Sequence, residues 1–249
     1  MMKNNVLLIA LGFSILSQTV LAKTYLVGTE RIYAPYASTD ERGKVSGIDI
    51  DILNAIAIDQ DIEFDYKILP WSALKNWKEE GLSIIMEGVS RSDLSDFSGI
   101  TASEYYLESK DCIFSLDKDK LAHWTNGTIS TDPADGLKDL FLENQIITNP
   151  DQFVAFPGTH FLSLKSLLNG KAEFAAGDCL VLNYLATRGA LNRSVFYSQV
   201  IDMTAEDKDA TQLVIGVDER EQELLRKINA GLENIRKSGE LSQIIARWR

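Results

Sequence analysis

The sequence predicts an α/β fold: an open, mostly parallel sheet with helices on both faces. Three observations carry that prediction. Short apolar strands alternate with helix-spaced apolar stripes from Tyr25 onward. Glycines close the stripes, as at Gly81, Asn169-Gly170 and Ser238-Gly239. The 249 residues are 45% hydrophobic, enough to bury one large core or two modest ones.

The elements follow in order. Tyr25 to Gly28 reads as a short apolar strand, and Tyr33-Ala34-Pro35-Tyr36 as a loop in which Pro35 keeps Ala34 out of the helical region, with the aromatics facing outward. Gly43 begins a turn and Val45 to Ile48 is extended; Ile48, Ile52, Ala55 and Ile56 then fall on one helical stripe, with Asp49 or Asp51 placed to accept the free backbone N–H groups of its first turn. Ile62 to Leu69 alternates like a strand, Trp71 to Glu80 is a short helix closed by Gly81, and Ser83 to Met86 is a buried strand. The middle of the chain repeats the theme: a strand at Ile113-Phe114, helices near Leu137 to Leu142 and Phe161 to Leu168, a strand from Glu173 to Ala176, and a helix from Cys179. Gln212 to Val217 reads as a strand, Glu221 to Arg236 as a long amphipathic helix, and the last helix ends at Trp248. In open sheets of this kind ligands sit beyond the C-terminal strand ends, which singles out the loops Glu30 to Tyr36, Pro70 to Ser72 and Glu87 to Arg91.

Composition narrows the function. A formal net charge of -11 argues against sequence-independent attraction to nucleic acid. Lys3, the apolar run Val6 to Leu16 and the small or aliphatic residues Val20-Leu21-Ala22 predict a secretory signal peptide over residues 1–22, with the mature chain starting near Lys23; the run is too short to span a bilayer, which takes about 20 apolar residues. In an oxidising compartment Cys112 and Cys179 are free to pair, but the sequence demands neither pairing nor free thiols. No catalytic nucleophile and no metal-ligand spacing accompanies His123 and His160, so no catalytic residue, metal or cofactor is expected.

Read in order, Tyr33-Ala34-Pro35-Tyr36, Gly43 to Asp51, Trp71-Ser72-Ala73-Leu74, Glu87-Gly88-Val89-Ser90, Phe97-Ser98 before Tyr105-Tyr106, Leu167-Leu168-Asn169-Gly170 followed by Glu173 and Asp178, and the closing Ala230 to Trp248 resemble the extracellular solute-binding proteins of family 3, the periplasmic receptors of ABC importers for polar amino acids and related solutes. The resemblance implies a two-lobe periplasmic-binding-protein-like (type II) fold: two mixed sheets flanked by helices and joined by a two-segment hinge. Lobe 1 would comprise residues 23–108 and 207–249 and lobe 2 residues 109–206, with crossings near Leu107 to Lys110 and Glu206 to Ala210. It also implies capture of a small polar solute by lobe closure, a monomer in the periplasm, and an ABC transporter permease in the inner membrane as partner.

The ligand-binding residues it implies are Tyr33, Tyr36, Trp71, Glu87, Gly88, Ser90, Arg91 and Asp178. The aromatics either stack on the solute or cover the core. Ser90 and its loop backbone either hold a carboxylate or form an ordinary turn. Asp178 either holds an ammonium or caps the following helix. Amino-acid receptors of the family usually carry an arginine several residues after this serine to grip the α-carboxylate; here the segment from Gly88 to Phe97 is shortened, and the nearest arginine is Arg91, which either reaches in or is a solvated turn residue. Glu87 would repel a ligand carboxylate and suits a cationic or polyhydroxylated group. A Gly-Thr loop for backbone binding has two candidates, Asn126-Gly127-Thr128 and Pro157-Gly158-Thr159. Asp49 and Asp51 are expected to cap or face solvent. Two other classes remain open: an enzyme on the same fold using Glu87 or Glu173 as a general base on a small acid, and a ligand-sensing module for a signalling partner.

Overall fold

The computed structural model describes residues 23–154, 158–188, 191, 195–201 and 208–249; the signal-peptide segment and residues 206 and 207 of the second crossing lie outside them. The chain runs β1 (Thr24–Thr29), β2 (Ile32–Tyr33), β3 (Ala37–Thr39), β4 (Val45–Ser46), α1 (Ile48–Gln60), β5 (Glu63–Ile68), α2 (Trp71–Leu74), α3 (Trp77–Glu80), β6 (Ile84–Ile85), β7 (Ile100–Ala102), β8 (Leu107–Glu108), β9 (Asp111–Ser115), β10 (Ile129–Thr131), α4 (Leu137–Glu143), α5 (His160–Leu168), β11 (Phe174–Asp178), α6 (Cys179–Thr187), β12 (Tyr197–Val200), α7 (Lys208–Thr211), β13 (Gln212–Leu213), β14 (Gly216–Asp218), α8 (Gln222–Ser238) and α9 (Glu240–Trp248), with short 3-10 turns between them.

Two mixed sheets organise this order. The first has strand order β5-β1-β6-β14-β7; β1 runs parallel to β5 and β6, whereas β14 is antiparallel to both its neighbours. The second has order β10-β11-β9-β12, with only β10 and β11 parallel. The expectation of a mostly parallel sheet is thus corrected: strands that follow a helical crossover are parallel, but β14 enters from the other direction after the chain has built the second sheet. Between the sheets β8 pairs antiparallel with β13 in a two-stranded ribbon.

The segment predicted as one strand from Gln212 to Val217 is two. Gln212 and Leu213 belong to the ribbon, then Val214 and Ile215 step across, and Gly216 joins the first sheet; the step is fixed by Val214 N–H donating to Val89 O and Ile215 N–H donating to Ser103 Oγ. The predicted helix from Trp71 to Glu80 is likewise two four-residue turns, interrupted at Lys75 and Asn76, with Leu74 and Trp77 buried in one cluster against the first sheet.

The first-sheet core joins Ile48, Ile52, Leu53 and Ile56 of α1 to Leu224, Ile228, Leu232 and Ile235 of α8, all nearly inaccessible. Burial of each such side chain contributes roughly 1.5–3 kcal/mol. The second sheet carries separate clusters on its two faces, one around Phe141, Ile129 and Phe174, the other around Phe114, Leu164 and Leu182.

Gly47 makes the entry to α1. Its φ of 148° lies where side chains are strained, and a Cβ there would stand 2.0 Å from the Tyr36 carbonyl oxygen. That carbonyl accepts the N–H of Asp49, so the approach is close because the hairpin of β2 and β3 supplies hydrogen-bond partners that the helix start lacks. Gly47→Ala is therefore expected to cost about 2–3 kcal/mol, read as a lower midpoint in urea; an unchanged midpoint would contradict this geometry.

Candidate functional site

The site is built where the ends of the two sheets face each other. From the first sheet come Glu30, the β2–β3 hairpin, and the loop after β6 from Glu87 to Asp93. From the second come the start of β9, the turn after β10, the start of α5, and the end of β11.

The hairpin presents two tyrosines. Tyr33 and Tyr36 stack with ring centroids 5.4 Å apart, and Tyr33 also lies 5.7 Å from the His160 ring of the second sheet's side. The outward-facing expectation is corrected for Tyr36, which is fully buried and donates its hydroxyl to Asp178 Oδ2 at 3.0 Å. The reason is the short turn, in which Tyr36 N–H donates to Tyr33 O and folds the ring under the hairpin. Burial, and the charge of Asp178, push both tyrosine hydroxyls well above their ordinary pKa.

Asp178 makes the helix-cap contacts that one of its two readings expects. Oδ1 accepts from Leu180 N–H and Val181 N–H at 2.8 and 3.0 Å at the start of α6, while Oδ2 accepts from Tyr36 and from Ser109 Oγ. One carboxylate thus ends β11, starts α6 and ties the second sheet to the hairpin and the ribbon. Burial raises its pKa despite the hydrogen bonds from Ser109 and Val181. The adjacent Cys179 is joined to Cys112 of β9 in a disulfide, settling the alternative the sequence left open and fixing β9 beside α6.

The Glu87 to Ser90 loop lies opposite. Gly88 has φ 63°, and a Cβ would meet the Tyr36 ring at 2.7 Å, so only glycine lets the loop pass under the tyrosine pair. Its N–H donates to Asp49 Oδ2 at 2.7 Å, and Tyr106 donates its hydroxyl to Asp49 Oδ1 at 2.8 Å. Asp49 therefore neither caps α1 nor faces solvent, as the sequence suggested; it is fully buried and anchors the loop, and burial lifts its pKa to about 7 against those two hydrogen bonds. Asp51, by contrast, accepts from Trp248 Nε1 and Arg247 in α9.

Glu87 is 6% exposed, and its Oε2 has no hydrogen-bond partner. Burial, then the neighbouring Glu30, push its pKa up to about 11, with Asp49 and Asp93 adding to the rise. Glu30 itself accepts the N–H of Trp71 at the start of α2, and Trp71 packs edge-on against Phe97, half-buried over the first-sheet core. Ser90 forms a reciprocal pair with Asp93: its N–H and hydroxyl donate to Asp93 Oδ2 at 2.8 and 2.7 Å, and its Oγ accepts Asp93 N–H at 3.2 Å. Arg91 donates from Nη2 to Ser103 O at 3.2 Å.

Facing them, His160 is 3% exposed between two carboxylates: Asp135 Oδ2 is 3.0 Å from Nε2 and Asp132 Oδ2 is 3.8 Å from Nδ1. Burial disfavours its charged form, but Asp135 overcomes this and its pKa is raised. Asp111, paired with Asp178 across β9 and β11, is lifted to about 7 by burial and by Asp178 and Asp135. The sequence singled out no metal-ligand cluster, yet donor atoms of Asp132, Asp135 and His160 lie within 4.8 Å of one another. Neither contact is a hydrogen bond of good geometry, so the histidine and the two carboxylates are associated by proximity and charge.

All eight residues singled out from the sequence are thus in or beside one place, although Trp71 covers core and Arg91 is engaged by backbone. Glu30, Asp93, Asp111, Asp132, Asp135 and His160 were missed. Glu30, Asp111 and Asp132 adjoin a strand end, which is their one signal in the sequence, whereas Asp93, Asp135 and His160 have none. Of the two Gly-Thr candidates, Gly158-Thr159 lies at the start of α5, with Pro157 outside the described residues, and Asn126-Gly127-Thr128 lies away from the site. Thr159 caps α5, Gly127 lies beside Glu173 and Phe174, and the turn after β10 is the acidic Asp132 to Gly136. Glu173 is an exposed partner of Lys120 and Thr128 N–H, which removes it as a buried general base.

Two sheets meeting at an enclosed polar face, linked by a crossing ribbon, define a two-lobed binding protein. Residues 25–249 match the bacterial extracellular solute-binding proteins, family 3, and the chain belongs to that family. A probable histidine-binding protein of Neisseria gonorrhoeae is 26% identical over 91% of this chain and 83% of its own length. A putative ABC transporter arginine-binding protein of Escherichia coli is 26% identical over 95% and 94%. Among solved structures, an ABC uptake transporter substrate-binding protein from Streptococcus pneumoniae with bound histidine superposes with a TM-score of 0.73 at 17% identity, covering 90% of this chain and 92% of that one, which shows the shared fold.

Proposed function

We propose that the protein is a periplasmic receptor, exported by a signal peptide over residues 1–22, that closes as a monomer over a small cationic solute and presents it to an ABC transporter permease. Lobe 1 is taken as residues 23–108 and 207–249 and lobe 2 as 109–206. Binding falls to Tyr33, Tyr36, Trp71, Glu87, Gly88, Ser90, Arg91 and Asp178, joined by His160 and its two aspartates. The observation that carries this reading is the Tyr36 to Asp178 hydrogen bond, which places the hairpin of one sheet on the acidic end of the other. The names of the relatives favour a cationic solute, since one is called a histidine-binding and another an arginine-binding protein. A ligand that bridges both walls stabilises the closed form by its differential contacts with that form, and no bond-breaking step is needed.

The test is calorimetric titration of the mature chain with basic amino acids and amines, alongside small-angle scattering for compaction. Binding with a smaller radius of gyration is expected; absence of binding across the panel would sink the reading. Asp178→Asn should weaken the best ligand roughly 10- to 100-fold, because a hydrogen bond to a charged group contributes about 1.5–3 kcal/mol. Unchanged affinity would remove Asp178 from the site.

A further inference from the structure

We infer that the solute is an organic cation that carries no carboxylate, such as a diamine or a guanidino amine. This rests on the receptor reading above and narrows its ligand.

The groups on the first-sheet wall best suited to hold a ligand carboxylate are already engaged by the chain. A backbone N–H and a hydroxyl aimed at one point form an anion seat, and at Ser90 both donate to the carboxylate of Asp93. The guanidinium of Arg91, one residue on, donates to the Ser103 carbonyl. A ligand carboxylate arriving here would meet the carboxylate of Asp93 in its place, with Glu30 beside a Glu87 that burial holds protonated.

The opposite wall offers no better seat. Its turn after β10 carries Asp132 and Asp135, and Asp111 and Asp178 stand on the neighbouring strands. The acids of the two walls sense each other: Asp132 is influenced by Glu30, and Asp111 by Asp93. Against these stands His160, held between Asp132 and Asp135. Like charges gathered at the meeting of the two walls favour a cation between them. Acids on both walls favour a ligand charged at both ends, and the partly accessible Tyr33 ring, backed by Tyr36, supplies a face for the apolar stem or a guanidinium plane of an organic cation.

Titration calorimetry with matched pairs tests this directly: agmatine against arginine and cadaverine against lysine, each pair differing by the carboxylate. Each amine should bind at least 100-fold more tightly than its amino acid. Comparable or tighter binding of arginine or lysine would overturn the inference and leave the receptor reading standing; no binding by any of the four would remove both. Binding of calcium or zinc alone, abolished by a chelator, would also overturn it. Two variants locate the cause. Asp93→Ala, checked for folding by its thermal transition, should narrow the agmatine to arginine ratio at least tenfold by removing the acceptor that occupies the Ser90 seat, whereas Asp135→Asn should weaken both amines. An unchanged ratio in Asp93→Ala would show that this seat does not set the preference, and the inference would fall with it.

Discussion

Replacing Cys112 and Cys179 together by serine will lower the unfolding free energy by roughly 3–4 kcal/mol. The bridge spans a sequence separation of 67, and the chain-entropy relation for a loop of that length gives about 4 kcal/mol. The native state adds a local reason. Cys112 lies beside Gly177 and Val200 in the second sheet, and Cys179 is the first residue of α6, so the bridge pins a helix start to the central strand of that sheet. Without it, Asp178 must hold the β11 to α6 corner through its hydrogen bonds alone. Chemical denaturation of the oxidised protein and the double variant reads the difference, and coincident midpoints would refute it. Solute affinity should fall as well, because Asp178 is the residue next to the bridge.

Acidification from pH 7 to pH 5 will stabilise the ligand-free protein, the reverse of a fold whose carboxylates are mostly paired. The sign follows from proton counting. Glu87 has a pKa of about 11 in the fold against 4.5 when unfolded, so between those values the folded chain holds one more proton and stability falls as pH rises. Asp49 and Asp111, at about 7 against 3.8, act in the same direction over the lower part of that window, and His160 does so above its ordinary value of 6.5. Glu87 alone corresponds to about 1.4 kcal/mol per pH unit. Over two units this translates into a melting temperature roughly 5–10 °C higher at pH 5. Carboxylates with lowered pKa, Asp218 and Glu173 among them, reverse the trend only below the unfolded carboxylate range. A melting temperature that is flat or falls between pH 7 and pH 5 would contradict the arrangement; Glu87→Gln should flatten most of the slope.

The sequence made some of this legible and not the rest, for physical reasons. Periodicity located α1, α5, α8 and β1 because each has one apolar face against a core, and that face repeats. It misjudged Gln212 to Val217, where an unbroken apolar run serves two sheets in succession. Helix-start chemistry put Asp49 at the right place with the wrong partner, since its acceptors are claimed by Gly88 and Tyr106, 39 and 57 positions away. Of the site, the hairpin tyrosines, Glu87, Ser90 and Asp178 stood out through the order of motifs that resembles the family, since each residue type taken alone has an ordinary structural use. His160 and the aspartates around it come from separate segments of the second half, and no local spacing announces that they meet.

The position of β14 has a consequence for biogenesis. The second sheet is drawn from one uninterrupted stretch between Asp111 and Val200, so its pairings form from sequence already in hand. Strand Gly216–Asp218 instead inserts between β6 and β7, about 115 to 130 positions upstream, and α8 then covers α1. A nascent chain emerging residue by residue would leave the sheet built first in sequence unfinished until almost the last residues appear, a delay that would suit the export proposed above.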